Sequence, residues 1–393
     1  MRLFNCEVCG QLLYFENTQC MRCGATVGYL PGRNRLTALD PVEPDGGVVQ
    51  ATAEAGAQQQ AMGDDAAAQA GTAAAAPQLW HPRAEPEALY RFCDNARHDA
   101  CNWLVPEGGE GFCPACRYNR TIPDLSDPQH LAQWRKIEVA KRRAFYGFLR
   151  LGLPMSDRVD DPENGLAFDF LADAPDGSGK VMTGHDNGLI TLALVEADDA
   201  ERTRRRTAMG EPYRTLLGHF RHEAGHYFWD RLVRDGGRLE ECRAVFGDDS
   251  QDYGAALQRH YEQGAAPDWQ EHFVSTYATA HPWEDFAETW AHYLHIVDTL
   301  EMARAFGLGI DPRADRSGEL TSEVDFDPYR ATEIEPVMEA WVPLTAAVNS
   351  LNRCMGTPDL YPFVISPAVV AKLGFIQSLV HPPKPAAAPD SGD

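Results

Sequence analysis

The sequence predicts an α+β protein: two small cysteine-built modules, then a mainly helical domain with a small antiparallel sheet. Three observations lead there. Eight of the ten cysteines fall into two quartets with metal-site spacing before residue 117. The stretches GLAFDFLAD (165–173) and GLITLALVEAD (188–198) are short apolar runs ended by polar or turn residues, the pattern of strands. Residues 213–233, 253–263, 283–306 and 334–352 carry apolar side chains at helical spacing.

Composition orders these elements into domains. Residues 1–30 form the first zinc ribbon. Residues 31–88 are expected to be a low-complexity linker, since VVQATAEAGAQQQAMGDDAAAQAGTAAAAP (48–77) offers no large side chain beyond Met62 to anchor a core. A second ribbon-like module covers 89–122, the main domain 123–380, and a Pro-rich tail expected to be disordered 381–393. The main domain opens on a helix over 128–151, whose apolar stripe is Leu131, Trp134, Ile137, Val139, Ala140 and Phe145. Pro154 ends it.

Charge and hydropathy exclude some functions. A net charge of -23 argues against a whole surface that binds nucleic acid or anionic membrane. No run approaches the roughly 18 apolar residues of a membrane helix. The opening MRLFNCEVCG has no basic segment followed by an apolar one, so no secretory signal is read. Metal-holding thiols must stay reduced, so a cytoplasmic location is expected.

In the first quartet, Cys6-x2-Cys9 and Cys20-x2-Cys23 are two knuckles, each followed by a glycine (Gly10, Gly24) that lets backbone amides turn toward the sulfurs. The second, Cys93-x7-Cys101-x11-Cys113-x2-Cys116, has one knuckle only; it is read as a second structural zinc site, against Cys113 and Cys116 binding metal with His98. Four-thiolate sites are closed, so both are expected to support folding and not catalysis. Cys242 and Cys354 read as ordinary buried thiols.

The chemistry centres on HEAGH. On a helix, His222 and His226 share a face and can point at one zinc, with Glu223 beside them near a metal-bound water. The metzincin pattern HExxHxxGxxH is excluded, because Trp229 and Leu232 occupy the positions of its glycine and third histidine. A later helix, HPWEDFAETWAHYLHI (281–296), carries Glu284, Glu288, His292 and His295 along one polar stripe among Phe286, Trp290, Leu294 and Ile296. Glu284 is read as the third ligand, with Glu288 accepting from a ligand histidine's other nitrogen. The reverse assignment stays open on spacing alone.

EPYRTLLGHFRHEAGHYFWDRLV and HPWEDFAETWAHYLH, preceded by two cysteine modules and CNWLVP, resemble a bacterial family of zinc-binding metallopeptidases. These join N-terminal zinc ribbons to a gluzincin-type, zincin-like catalytic domain. EDFAE is also similar to the EFFAE element of anthrax lethal factor's catalytic domain, where the first glutamate binds zinc and a tyrosine seven residues earlier lies beside the metal. Tyr277 stands seven before Glu284, and the resemblance implies that it stabilises the oxyanion.

The expected activity is peptide-bond hydrolysis with one catalytic and two structural Zn2+. Glu223 serves as general base toward a zinc-activated water, and Tyr277 or a histidine of the later helix serves as oxyanion donor. The strand in GLITLAL is expected to present an edge to an extended substrate. The expected partners are a peptide or protein substrate and a protein partner for the ribbons, with no membrane partner. The alternative is a non-catalytic, zinc-stabilised regulatory protein whose ribbons recognise a protein or nucleic acid. Nucleic acid is the weaker of the two, resting on the slightly basic 89–150 and on RTRRR (202–206).

Overall fold

The computed structural model describes residues 2–42, 77–174, 179–209 and 215–382. It divides into two units, Arg2–Arg117 and the chain from Tyr118 onward.

The first unit contains both cysteine modules. A short hairpin, β1 (Phe4–Asn5) and β2 (Leu12–Leu13), carries the first knuckle. Strands β3 (Val27–Leu30), β4 (Arg35–Pro41), β5 (Trp80–Pro82), β6 (Tyr90–Phe92) and β7 (Leu104–Pro106) then form one antiparallel sheet in that order. A single bridge between Tyr29 and Trp103 brings its outer strands together. Two expectations change here. Residues 35–41 and 80–82 are paired strands, not linker, and Leu36, Ala38 and Leu39 are buried in the core. The two modules also share one core: the Tyr29 ring lies 4.8 Å from that of Phe15 and 4.9 Å from that of Trp103. Most of the low-complexity stretch lies outside the described residues, as does the tail from 383 on.

The second unit begins with a strand–helix–strand crossover. Strand β8 (Asn119–Thr121) leads into α1 (Pro128–Leu151), which returns to β9 (Ala167–Leu171), parallel to β8. Asp127 caps α1 by accepting from the Gln129 amide at 2.7 Å. A hairpin follows, β10 (Gly184–Asp186) and β11 (Leu189–Ala193), and β11 pairs parallel with β9. The sheet order is therefore β10-β11-β9-β8. This corrects the expected antiparallel sheet: the α1 crossover makes β8 and β9 parallel, and the chain passes through β10 before β11 returns parallel to β9, so two of the three pairings are parallel. It also corrects the expected edge, since β11 is internal and β10 lies at the margin.

Helices complete the unit: α2 (Asp199–Met209), α3 (Leu216–Trp229), α4 (Leu239–Phe246), α5 (Tyr253–Gln263) and α6 (Pro282–Phe306). A small antiparallel pair, β12 (Gly309–Ile310) and β13 (Ser322–Glu323), precedes α7 (Ile334–Cys354) and α8 (Pro367–Val380). No helix among the described residues is long and apolar enough to cross a membrane. Arg202 and Arg204, from the basic run, pair with Asp199 and Glu201 of their own helix. Cys242 is buried as expected. Cys354 is exposed, because it ends α7 on the solvent side.

A buried ion pair ties α1 to the sheet. Lys141 Nζ lies 2.8 Å from Glu138 Oε1, both side chains fully excluded from solvent, and Asn119 of β8 donates to the same oxygen at 2.7 Å. Lys141→Met should remove the ammonium that faces buried Glu138 and cost about 3–5 kcal/mol. Denaturant unfolding of the zinc-loaded protein measures this, and adding Glu138→Gln should recover most of the loss.

Candidate metal centre

Three groups of potential ligands gather among the described residues: Cys6, Cys9, Cys20 and Cys23; Cys93, Cys101, Cys113 and Cys116; and His222, His226 and Glu284. All ten cysteines are free thiols. In the first group Cys6 Sγ lies 3.7 Å from Cys23 Sγ, and Cys9 Sγ lies 3.6 Å from Cys20 Sγ. In the second, Cys101 and Cys113 are 3.8 Å apart. Tetrahedral zinc with bonds of about 2.3 Å to sulfur separates its ligands by roughly 3.8 Å, so both groups fit it. Gly10 and Gly24 have φ of 75° and 72°, the left-handed turn that a Cβ would strain. The second group closes without that pairing: the Cys113 amide donates to Cys93 Sγ at 3.4 Å. His98 is not part of it.

The third group depends on how closely two helices approach. Thr215 caps α3, accepting from the Gly218 amide at 2.9 Å, and a π-helical turn (Asp230–Arg234) continues it. In α6, Pro282 occupies the first turn, where its missing N–H costs nothing, and His281 caps it by accepting from the Trp283 amide at 3.1 Å. A Cβ at Gly225 would stand 3.0 Å from Ala287 Cα and 3.3 Å from Trp290 Cβ. The glycine of HEAGH thus lets the helices meet backbone to backbone. Phe228 stacks on Trp290 at 5.0 Å to seal the contact.

That approach sets His222 Nε2 3.0 Å and His226 Nε2 3.5 Å from Glu284 Oε2. Four-coordinate zinc with bonds of about 2.0–2.1 Å would separate such atoms by roughly 3.3 Å. Glu284 Oε2 is buried and accepts no hydrogen bond, a vacant acceptor facing two imidazole nitrogens. The set of two imidazoles and one carboxylate suits zinc. Glu288 Oε1 lies 2.7 Å from His222 Nδ1, and Glu288 Oε2 accepts from Ser275 at 2.6 Å. Glu288 therefore holds the ring so that Nε2 faces Glu284, and of the two assignments left open by spacing the geometry fits Glu284 as ligand. Burial opposes charge on His222, but the two carboxylates outweigh it and hold its pKa well above the ordinary value.

Glu223 is half-buried beside the histidines and makes no side-chain hydrogen bond among the described residues. Burial raises its pKa. Tyr277, in a short 3-10 turn, sets its ring 5.9 Å from that of His222. Its phenol is strongly raised by burial and then by the Glu284 charge, so it stays protonated. The histidines of α6 lie elsewhere: His292 Nδ1 is 2.6 Å from the hydroxyl of Tyr361, in the segment between α7 and α8, and His295 Nδ1 is 2.5 Å from Arg221 of α3.

Sequence reasoning missed four neighbours. Tyr253 of α5 donates to Glu284 Oε1 at 2.6 Å. Ser275 holds Glu288, as above. The Trp283 ring packs 3.8 Å from that of His226, and His185, on the edge strand β10, stacks 5.9 Å from it. Only Trp283, beside Glu284 in the motif, stood where the sequence could have drawn attention. The others lie 37 or more residues from HEAGH or fall in segments without a motif.

These features describe a zinc-binding protein with two ribbon-type cysteine groups and a third group of candidate ligands on helices. Residues 130–379 match a family described as "Putative zinc-binding metallo-peptidase", and residues 3–70 and 62–127 match a zinc-ribbon domain. The chain belongs to that metallopeptidase family. Similar proteins include "Uncharacterized protein Rv2568c" of Mycobacterium tuberculosis (strain ATCC 25618 / H37Rv), 38% identical over 97% of this chain and 95% of its own. "Uncharacterized protein Mb2598c" of Mycobacterium bovis shows the same identity and coverage. No solved structure matches.

Native mass spectrometry should find about three zinc ions per chain, one for each ligand group. His226→Ala should lose one ion and leave the ribbons loaded. Gly225→Val should weaken the same site by forcing α3 from α6, with unfolding cost of about 1–3 kcal/mol.

Proposed function

We propose that this chain is a gluzincin-type zinc peptidase that hydrolyses peptide bonds in a peptide or protein substrate. One observation carries the reading: Glu223, a half-buried carboxylate with no hydrogen-bond partner among the described residues, stands beside the ligand histidines. A metal site that only staples helices together needs no such group.

His222, His226 and Glu284 would hold the metal, with Glu288 and Ser275 fixing His222. Zinc, when bound, supplies a Lewis acid that polarises the scissile carbonyl and acidifies water. Glu223 accepts a proton from the attacking water and later gives it to the leaving amine nitrogen. Burial raises its affinity for that proton above that of a solvated carboxylate, which aids the first transfer. Tyr277, kept neutral, donates to the negative charge that develops on the former carbonyl oxygen.

The substrate's backbone would pair with the side of β10 that no strand among the described residues covers, laying an extended peptide beside His185 and His226. This replaces β11 as the expected docking strand. The two cysteine groups hold structural zinc in the ribbon unit, a candidate surface for a protein partner.

Glu223→Gln should keep its full zinc content and lose cleavage by about 10²–10⁴-fold. Proteins trapped by this variant from a native lysate, and new N-termini generated by the wild type, should name the same substrates. A wild type that generates no new termini, or a variant that cleaves equally well, would end the peptidase reading.

A further inference from the structure

The two oxygens of Glu284 are employed differently. Oε2 faces His222 Nε2 and His226 Nε2 at 3.0 and 3.5 Å and receives no hydrogen bond. Oε1 accepts the Tyr253 hydroxyl at 2.6 Å. A carboxylate can offer a metal either one oxygen or both. With two histidines already bound, a second carboxylate oxygen would fill the position that water or substrate needs.

We infer that Tyr253 is a positioning residue whose hydroxyl holds Glu284 Oε1 away, so that the carboxylate binds metal through Oε2 alone and the fourth position stays open. This rests on the metal site proposed above and adds to it the residue that sets coordination number.

The placement of Tyr253 suits the task. It is the first residue of α5, and Asp252 anchors that end by accepting from the Ala255 amide at 2.7 Å. Its ring meets His281 edge-on at 5.4 Å and Trp283 at 5.7 Å, the two residues that frame the first turn of α6. The phenol is thus gripped by the same turn that carries Glu284. At neutral pH a phenol keeps its proton and can only donate to a carboxylate. The remainder of α5 is lightly anchored, with Ala256 its one buried residue. Tyr253 is 37% exposed, so removing its hydroxyl opens no cavity in the core.

What Tyr253→Phe does to the metal separates a positioning role for the hydroxyl from a merely structural one. With Oε1 released, Glu284 can chelate. The variant should therefore retain three metal ions, resist chelators at the helical site as well as the wild type or better, and lose about 10- to 100-fold in kcat/KM. With cobalt(II) in place of zinc, the visible absorption of the helical site should weaken as coordination rises above four. The ribbon sites contribute equally to both proteins and cancel in the difference spectrum. An unchanged cobalt spectrum would overturn the inference. So would metal lost from the helical site, which would make the hydroxyl a buttress and no more. Unchanged ribbon metal and melting temperature establish that the variant is folded. If no substrate is ever found, the spectrum and the chelator competition still decide the role of Tyr253, independently of the peptidase reading.

Discussion

The helical site depends on backbone contact between α3 and α6 at Gly225 and Ala287. Each helix alone offers a face of polar groups that would be costly to bury. Brought within van der Waals distance, the faces become complementary: His222 meets Glu284 and Glu288, and Arg221 meets His295 and Asp298. A glycine inside a helix costs about 0.5–1 kcal/mol relative to alanine. Here that cost is offset, because any side chain would push these donors and acceptors apart.

Further ties fix the angle of α6 along its length. Lys372 of α8 lies 2.6 Å from Asp285, next to Glu284, and donates to the His272 carbonyl at 2.6 Å. One ammonium thus links the ligand turn to the segment that continues to Ser275 and Tyr277. Near the other end, Glu301 accepts from Tyr146 at 2.6 Å and pairs with Arg150 at 3.0 Å, both from α1. Buried charges paired this way add little net stability, but removing one partner is expensive, so they select one arrangement over its neighbours. A metal site needs that selectivity, since ligand atoms must stay near their positions before the ion arrives.

Much of this was legible in the sequence, and the reason differs by element. The ligand helices were legible because His222, Glu223 and His226, and then Glu284 and Glu288, recur at the helical period within aromatic surroundings. The first cysteine group was legible from spacing alone. Helix α1 begins and ends at the expected residues because Asp127, Pro128 and Gly152 mark both termini. By contrast, α8 (PAVVAKLGFIQSLV) was missed because it is apolar on nearly all sides, which erases periodic contrast. Strand β10 is three residues long, too short for alternation. Tyr253 and Ser275 act as single hydroxyls whose importance comes only from what folding brings beside them.

The ribbon unit shows why spacing gave its metal sites but not its architecture. Thiolate pairs are local, whereas strand pairing is not: β4 pairs with β5 across residues 43–76. Asn102, beside Cys101, donates to the Phe15 carbonyl at 2.8 Å and accepts the Tyr29 amide through its own carbonyl at 2.8 Å. That single residue satisfies backbone groups of the first module from within the second. Two quartets that read as separate beads are thus halves of one core, in which Tyr29 and Trp103 are both buried. Each half alone would expose an aromatic face and an unpaired strand edge. Metal loss from either should therefore loosen both, because zinc at each site holds the turns from which the shared strands emerge.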